Sequence, residues 1–187
     1  MKAPAMTKLR SKLVPLAEGK VLEVGIGSGL NLPFYNDGAQ VTGLDPSAEL
    51  QVYARDVARE RGMKVEFLTH GGEFIPIDDN SFDFVVMTWT LCTIPKARHA
   101  LSEIKRVLKP KGKVIFAEHG KAPEQIVANW QNRINPLWNI LAGGCNLNRE
   151  IEILYKSEGF AFADITKGYI PGPRWATFNY RGVAQIA

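Results

Sequence analysis

Short apolar runs alternate with segments of helical periodicity along this chain of 187 residues. Runs rich in β-branched and aromatic residues predict five buried strands, at residues 21–24, 41–44, 65–68, 82–87 and 113–117. Helical spacing of apolar residues predicts helices over 47–61 and 97–108. Because the connection between two parallel strands needs about a dozen residues, this alternation predicts a parallel sheet with helices between its strands.

The last third of the chain has a different pattern. After Gly120, tryptophan, proline and paired glycines indicate helices joined by a turn, and residues 151–157 predict one more helix. Two further strands, at 160–165 and 178–186, flank Pro171-Gly172-Pro173, which favours an antiparallel pair. We therefore expect one α/β domain over residues 1–187, a doubly wound, mostly parallel sheet of seven strands with the last antiparallel. A substrate-side insertion is expected at about residues 120–150.

Several classes of protein are excluded by composition. The most apolar stretch, residues 84–91, is far shorter than the roughly 20 residues of a membrane helix, so we expect no integral membrane segment. The N-terminus lacks the apolar core of a secretory signal, which favours the cytoplasm. Two cysteines and three histidines, with no CxxC pair, show no spacing typical of metal ligands. No metal is therefore expected, and no oligomeric state follows from the sequence.

The net charge of +4 raises the question of a nucleic-acid partner. Basic residues cluster at 105–113, at the end of a predicted helix, where a solvated surface favoured by the helix dipole explains them. After the fourth strand the chain reads Thr88-Trp89-Thr90-Leu91, which is unlike the Asn/Asp-Pro-Pro-aromatic motif that holds the amino group of a base. We expect no nucleic acid and a small-molecule partner instead.

A glycine-rich loop with the letters EVGIGSG, residues 23–29, ends the first predicted strand. Glycines there let the backbone approach a ligand closely. The dinucleotide fingerprint G-x-G-x-x-G would need glycine at position 30, which is Leu30. Glu23 would repel a pyrophosphate, whereas it can attract a cationic amino group, directly or through water.

Two further segments follow the next two strands. Asp45, at the end of the second strand, can accept both hydroxyls of a ribose or can cap the helix that follows it. The glycine loop nearby favours the ligand role. The letters HGGE at 70–73, after the third strand, form either the border of an adenine site or an ordinary turn with a solvated Glu73.

Together the segments 21–29, 43–47, 75–83 and 103–110 resemble class I S-adenosylmethionine-dependent methyltransferases of the ubiquinone/menaquinone-biosynthesis type. The resemblance covers most of the chain and implies a Rossmann-like sheet with S-adenosyl-L-methionine as the cofactor. Segments 88–95, 116–119, 130–131, 136–138 and 143–149 are similar to a narrower branch. That branch comprises bacterial small-molecule methyltransferases and the animal methyltransferase-like thiol S-methyltransferases.

The resemblance also implies where the cofactor would bind. Its parts would contact four groups of residues: Glu23, Gly25, Gly27 and Gly29 at the amino-acid part, Asp45 at the ribose, Pro46 and Leu50 at the adenine, and Thr88 on the methyl side. Relatives commonly have Asp or Ser where this chain has Gly71, so backbone at Gly72 and Glu73 would replace that side chain.

The implied reaction is methyl transfer to a small, fairly apolar acceptor, with a thiol as first choice. A lipid amine or quinone precursor is the alternative, and so is a non-catalytic module that binds S-adenosylmethionine. His119 ends the fifth strand, at the edge where open α/β sheets bind ligands, and imidazole ordinarily titrates near neutrality. It is either the general base or a hydrogen-bonded structural residue.

Overall fold

A seven-stranded sheet forms the centre of the computed structural model, which describes residues 3–187. The strands are β1 (Lys20–Val24), β2 (Gln40–Leu44), β3 (Val65–Leu68), β4 (Phe82–Thr88), β5 (Leu108–His119), β6 (Phe160–Tyr169) and β7 (Phe178–Ile186). The helices are α1 (Pro4–Leu13), α2 (Ala48–Glu60), α3 (Ala97–Val107), α4 (Gln125–Leu141), α5 (Ile151–Ser157) and the short α6 (Arg174–Thr177).

The strand order is β3-β2-β1-β4-β5-β7-β6. Neighbouring strands from β3 to β5 are parallel, whereas β7 runs antiparallel to both β5 and β6. The predicted doubly wound α/β fold, with its last strand antiparallel, is confirmed. Since the order reverses at β1 and β4, the carboxyl ends of these two strands flank the crevice in which such sheets bind ligands.

Helices cover both faces of the sheet, and alternate residues of β1 show how. Leu22 belongs to the apolar cluster that includes Ile104 of α3, while its neighbour Val21 belongs to the cluster that includes Ala54 of α2. Successive side chains of a strand point to opposite faces, so the buried pair Val21 and Leu22 shows that β1 is covered on both. This two-sided burial fixes the register of β1 and places the glycine loop at its carboxyl end.

Two parts of the chain differ from the sequence-based expectations. Helix α1 was not predicted. The connection from the glycine loop to β2, which lies within residues 3–187, contains no α-helix, only a 3-10 turn at Leu32–Phe34. Glycines 25, 27 and 29 all have positive φ, and Pro33 in the short remainder lacks an N–H group, so the segment cannot continue as a helix.

The segment after β5 forms α4, a turn with Gly143 and Gly144 at positive φ, and then α5, as the sequence indicates. The single domain over 1–187 and its insertion at residues 120–150 stay predictions. Residues 1 and 2 lie outside the described residues. Within 3–187 no helix is both long enough and apolar enough to cross a membrane.

Candidate functional site

The glycine loop after β1 is shaped by three left-handed residues, Gly25, Gly27 and Gly29, with φ of 75°, 51° and 77°. A Cβ on Gly25 would lie 2.3 Å from Cγ2 of Thr90, and one on Gly29 would lie 2.9 Å from the Cα of Ala54. At Gly27 the nearest atom would be Oδ2 of Asp45, at 3.9 Å. Packing therefore requires the outer two glycines, whereas the middle one borders open space beside a carboxylate.

Most N–H groups of this loop are already used. Those of Gly25 and Ile26 donate to the carbonyl of Leu44, that of Gly29 donates to Ile26, and that of Gly27 donates to Asp45. A pyrophosphate would need such donors to be free. The loop thus offers a ligand close approach of the backbone and little anion binding, which agrees with the missing glycine at position 30.

Asp45 joins this loop to the start of α2. It is 7% exposed; Oδ2 accepts the Gly27 N–H at 2.9 Å, and Oδ1 accepts the Ser47 N–H at 2.9 Å. The N-cap of α2 is Ser47, whose Oγ accepts the N–H of Leu50 at 3.2 Å. Because the cap role belongs to Ser47, and each carboxylate oxygen can accept a second hydrogen bond, Asp45 retains acceptor capacity towards a ligand.

Gln51 was missed by the sequence analysis, although it positions the same edge. Its Nε2 donates to the carbonyls of Asp45 at 2.9 Å and Leu68 at 2.8 Å, which ties together the carboxyl ends of β2 and β3. The side chain is buried with Ala54 and Ala58 on the inner face of α2. A glutamine in an otherwise apolar helical stripe was the signal that could have revealed it.

Glu23 is buried, with 1% of its surface exposed. Its Oε1 accepts Nδ2 of Asn31 at 3.0 Å, and its Oε2 accepts the hydroxyl of Tyr35 at 2.8 Å. Burial raises the pKa of Glu23 to about 8, against the opposing effects of both hydrogen bonds and of the Arg10 charge. Because the carboxyl group is buried, an ammonium group could contact it only after the side chains that cover it move.

Asn31 extends the network to the ends of β4 and α1. It donates to Oγ1 of Thr88 at 3.0 Å and accepts Nε of Arg10 at 3.0 Å. The Arg10 guanidinium lies 4.7 Å from the centroid of the Trp89 ring, a cation–π distance. The sequence analysis found Thr88 but not Arg10, Asn31 or Tyr35, because none belongs to a local motif and Arg10 lies on the unpredicted helix α1.

The residues predicted to border the adenine lie on two segments. Pro46 is exposed and Leu50 is 43% exposed at the start of α2, directly after Asp45. Gly72 is buried, and a Cβ there would lie 3.0 Å from Cδ1 of Ile94. Glu73 is half-buried and accepts the backbone N–H of Lys96 at 3.3 Å. The exposure of Pro46 and Leu50 leaves apolar surface available beside the Asp45 carboxylate.

The loop after β4 is held in place from both sides. The buried carboxylate of Glu118, near the end of β5, accepts backbone N–H groups from all three residues 90–92. Arg149 donates to the carbonyls of Leu91 and Ile94. Burial raises the pKa of Glu118 to about 6 although these backbone donors oppose the shift. Glu118 therefore fixes the backbone of the loop, while its neighbour His119 lies against Trp89 on the other face of the sheet's edge.

His119 is half-buried, and its Nδ1 lies 3.6 Å from Sγ of Cys145. That sulfur lies 3.6 Å from Sγ of Cys92, which is fully buried. A hydrogen bond from Cys92 and the adjacent imidazole hold the pKa of Cys145 well below its usual value. Since Cys92, His119 and Cys145 stand far apart in the sequence, their proximity could be seen only in the fold.

A family model described as a methyltransferase domain matches residues 22–116, which span β1 to most of β5 and contain the glycine loop and Asp45. The chain belongs to this family. The match to the methyltransferase domain confirms the family resemblance found in the sequence. His119 and Cys145 lie beyond the matched residues.

Named relatives of this methyltransferase domain act on different substrates. The human thiol S-methyltransferase TMT1A is 38% identical over 141 residues, which cover 73% of this chain and 57% of the relative. The phosphatidylethanolamine N-methyltransferase of Cereibacter sphaeroides is 33% identical over 125 residues, 62% of each chain. The chain thus spans somewhat more than half the length of these relatives.

Among solved structures, the YcgJ protein of Bacillus subtilis superposes with a TM-score of 0.73 at 20% identity. The superposition covers 96% of this chain and 94% of YcgJ. At that identity the likeness establishes the fold of the methyltransferase domain and nothing about its substrate.

Proposed function

We propose that this protein binds S-adenosyl-L-methionine and transfers its methyl group to a small, fairly apolar acceptor, with a thiol as first choice. The observation that carries the proposal is the opening at Gly27, where the backbone leaves space beside the Asp45 carboxylate at the carboxyl edge of β1 and β2. This edge is where an open α/β sheet binds a nucleoside.

The residues present suit the cofactor's polar groups. The second acceptor sites of the Asp45 carboxylate would hold the ribose hydroxyls, and exposed Pro46 and Leu50 would cover the adenine, with the backbone at Gly72 and Glu73 beside it. Gly25, Gly27 and Gly29 would let the amino-acid part lie against the backbone. An ammonium group bound nearby would favour the ionised form of Glu23, whose carboxyl group is buried behind Asn31 and Tyr35.

When bound, S-adenosylmethionine supplies an electrophilic methyl group on a sulfonium, and its leaving group is neutral. The protein then has to align the acceptor and exclude water. Near the ends of β4 and β5, Trp89, Met6 and Leu147 form a buried apolar cluster, against which Trp138 packs. Thr88, buried at the end of β4, would face the methyl side. A thiolate that meets a sulfonium loses charge, and such apolar surroundings favour that step.

A thiol is proposed because TMT1A, a thiol S-methyltransferase, is 38% identical over 141 residues. About a few per cent of an ordinary thiol is ionised at neutral pH, so a base contributes only moderately. A lipid amine is the second candidate, supported by the Cereibacter sphaeroides relative, which is 33% identical. The predicted absence of a nucleic-acid partner and the predicted cytoplasmic location stay predictions.

We assign His119 to the acceptor side. Its Nδ1 faces Cys145, which leaves Nε2 as the ring atom that could take a proton from the acceptor. His119→Ala is then expected to lower turnover at pH 7 while S-adenosylhomocysteine binds as before. His99→Ala, an exposed histidine on α3, is the matched control. Equal turnover of wild type and His119→Ala would show that this imidazole takes no proton.

The cofactor assignment is tested by calorimetry with S-adenosylhomocysteine. We expect binding by the wild type and at least a tenfold loss in Asp45→Ala; no binding by the wild type, or full binding by the variant, would contradict the assignment. A screen of thiols, amines and phenols then identifies the acceptor class. Binding of S-adenosylhomocysteine without turnover of any acceptor would favour the non-catalytic binding module.

A further inference from the structure

The cluster of Cys92, Cys145 and His119 has a geometry that methyl transfer itself does not require. One ligand-type atom from each residue lies within 4.8 Å of the other two, and no other group of three or more His, Cys, Asp or Glu side chains within 3–187 meets that condition. The three side chains come from the loop after β4, the end of β5 and the turn between α4 and α5. They therefore converge on one point from three separate segments.

The distances suit a tetrahedral metal ion. With metal–sulfur bonds of about 2.3 Å and metal–nitrogen bonds of about 2.0 Å, tetrahedral ligands lie about 3.8 Å apart for two sulfurs and about 3.6 Å apart for sulfur and nitrogen. The Cys92 and Cys145 sulfurs are 3.6 Å apart, as are the Cys145 sulfur and Nδ1 of His119. Only the Cys92–His119 separation, at most 4.8 Å, would have to shorten.

We propose that Cys92, Cys145 and His119 bind one soft divalent cation, zinc in the first instance, with a fourth coordination position left for water or a thiol. Thiolates and imidazole are the donors that zinc prefers. Two thiolates and a neutral imidazole would balance the charge of a divalent ion, while Arg149 lies near enough to oppose the charge of Glu118. Partial exposure of His119 provides an entry path.

The surroundings would support such a site. Both cysteines belong to the apolar cluster that includes Trp89 and Leu147, so competing water is excluded from most sides. The backbone N–H of Cys92 is fixed by Glu118 at 3.1 Å, which holds its side chain at the point of convergence. The indole of Trp138 packs against this cluster, with its N–H group beside the Cys145 sulfur.

Metal binding and proton transfer are alternative roles for His119. An imidazole that binds a metal through one nitrogen keeps its proton on the other and cannot act as a base. In the metal-bound protein, a substrate thiol in the fourth position would release its proton to water and bind as a thiolate because of the cation's charge, and His119 would serve as a ligand. This last step rests on the proposed function, whereas the binding of zinc does not.

Cobalt(II) is the probe, because it replaces zinc and absorbs light. The full chain, stripped of metal by dialysis against a chelator, is titrated with Co²⁺ under reducing conditions. We expect one Co²⁺ per chain, a near-ultraviolet thiolate-to-cobalt band, the intense visible bands of tetrahedral cobalt, and loss of all three on adding Zn²⁺. Cys92→Ser, Cys145→Ser and His119→Ala should each weaken binding by more than about 100-fold, since even outer-shell replacements cost about 10- to 100-fold. His99→Ala should bind like the wild type.

Absence of these bands in a wild type whose two thiols both react with a thiol reagent after denaturation would overturn the proposal. A disulfide between Cys92 and Cys145 that persists under these reducing conditions would also overturn it, and so would unchanged binding in the three variants. If a cysteine variant fails to fold, X-ray absorption of the zinc-loaded wild type decides: two sulfurs at about 2.3 Å and a nitrogen at about 2.0 Å are expected. Calorimetry with S-adenosylhomocysteine on the same metal-free sample reports separately on the cofactor site.

Discussion

Gly25→Ala and Gly27→Ala are expected to damage the protein in different ways, although the two glycines are separated by one residue and both have positive φ. A left-handed conformation costs a residue with a Cβ about 1–2 kcal/mol, and this cost applies to both variants. At Gly25 the new Cβ also lies 2.3 Å from Cγ2 and 2.4 Å from Oγ1 of Thr90. Overpacking of this kind adds about 1–3 kcal/mol.

Gly25→Ala should therefore lower the free energy of unfolding by about 2–5 kcal/mol, and Gly27→Ala by only about 1–2 kcal/mol. For a chain of this size each kcal/mol lowers Tm by about 2–4 °C. The loss of cofactor affinity should follow the opposite order, larger in Gly27→Ala than in Gly25→Ala. A Cβ on Gly27 enters the open space beside Asp45, so Gly27→Ala should weaken S-adenosylhomocysteine binding at a temperature where the variant is fully folded.

Urea unfolding measures the first quantity, and calorimetry below the unfolding transition measures the second. Thr90→Ala removes the two side-chain atoms closest to the new Cβ, so the double variant Gly25→Ala/Thr90→Ala should recover about 0.5–3 kcal/mol relative to the sum of the single changes. Equal destabilisation by both glycine variants, or unchanged ligand affinity in Gly27→Ala, would refute this account of the loop.

Two further predictions concern buried polar side chains. Burial raises the pKa of Glu23 from its ordinary 4.5 to about 8, so the folded chain retains a proton that the unfolded chain loses, and the free energy of unfolding falls as the pH rises through that window. Urea unfolding at several pH values should show this fall in the wild type and a smaller one in Glu23→Gln; parallel pH profiles would contradict it. The fully buried hydroxyl of Tyr155 has no hydrogen-bond partner among residues 3–187, so Tyr155→Phe should raise the free energy of unfolding by up to about 1 kcal/mol. Tyr35→Phe, which removes a hydrogen bond to Glu23, should instead lower it by about 1 kcal/mol or more, and a loss of similar size in both tyrosine variants would argue against the assignment.

Local patterns in the sequence were sufficient for the strands and for the glycine loop and Asp45 that we propose bind the cofactor. A strand with apolar residues on both faces, as β1 has at Val21 and Leu22, is buried on both wherever it stands in the sheet, so its type and its neighbours along the chain can be predicted. The glycines of 25–29 need no partner to permit positive φ, and Asp45 follows its strand directly. These features depend only on residues a few positions apart, so they can be predicted without knowledge of the strand order.

Contacts across the sheet depend on the strand order, which local patterns do not encode. Glu23 on β1 meets Asn31 and Tyr35 of the connection to β2. Asn31 in turn meets Thr88 on β4 because β1 and β4 are neighbours in the sheet. Arg10 joins this network from a helix whose weak periodicity did not predict it. His119 likewise could be picked out by its place at a strand end, whereas its neighbour Cys145 and the more distant Cys92 could not.

The sequence by itself determined an α/β sheet with a glycine loop and an acidic residue at the ends of its first two strands. Those features follow from hydrophobic periodicity and from backbone freedom, which are properties of short segments. Only the tertiary structure decided that Cys92 and Cys145 lie 3.6 Å apart with His119 beside them. The loop after β4 and the end of β5 meet because these strands are adjacent, and the turn after α4 packs against both through an apolar cluster; no spacing in the sequence records that meeting.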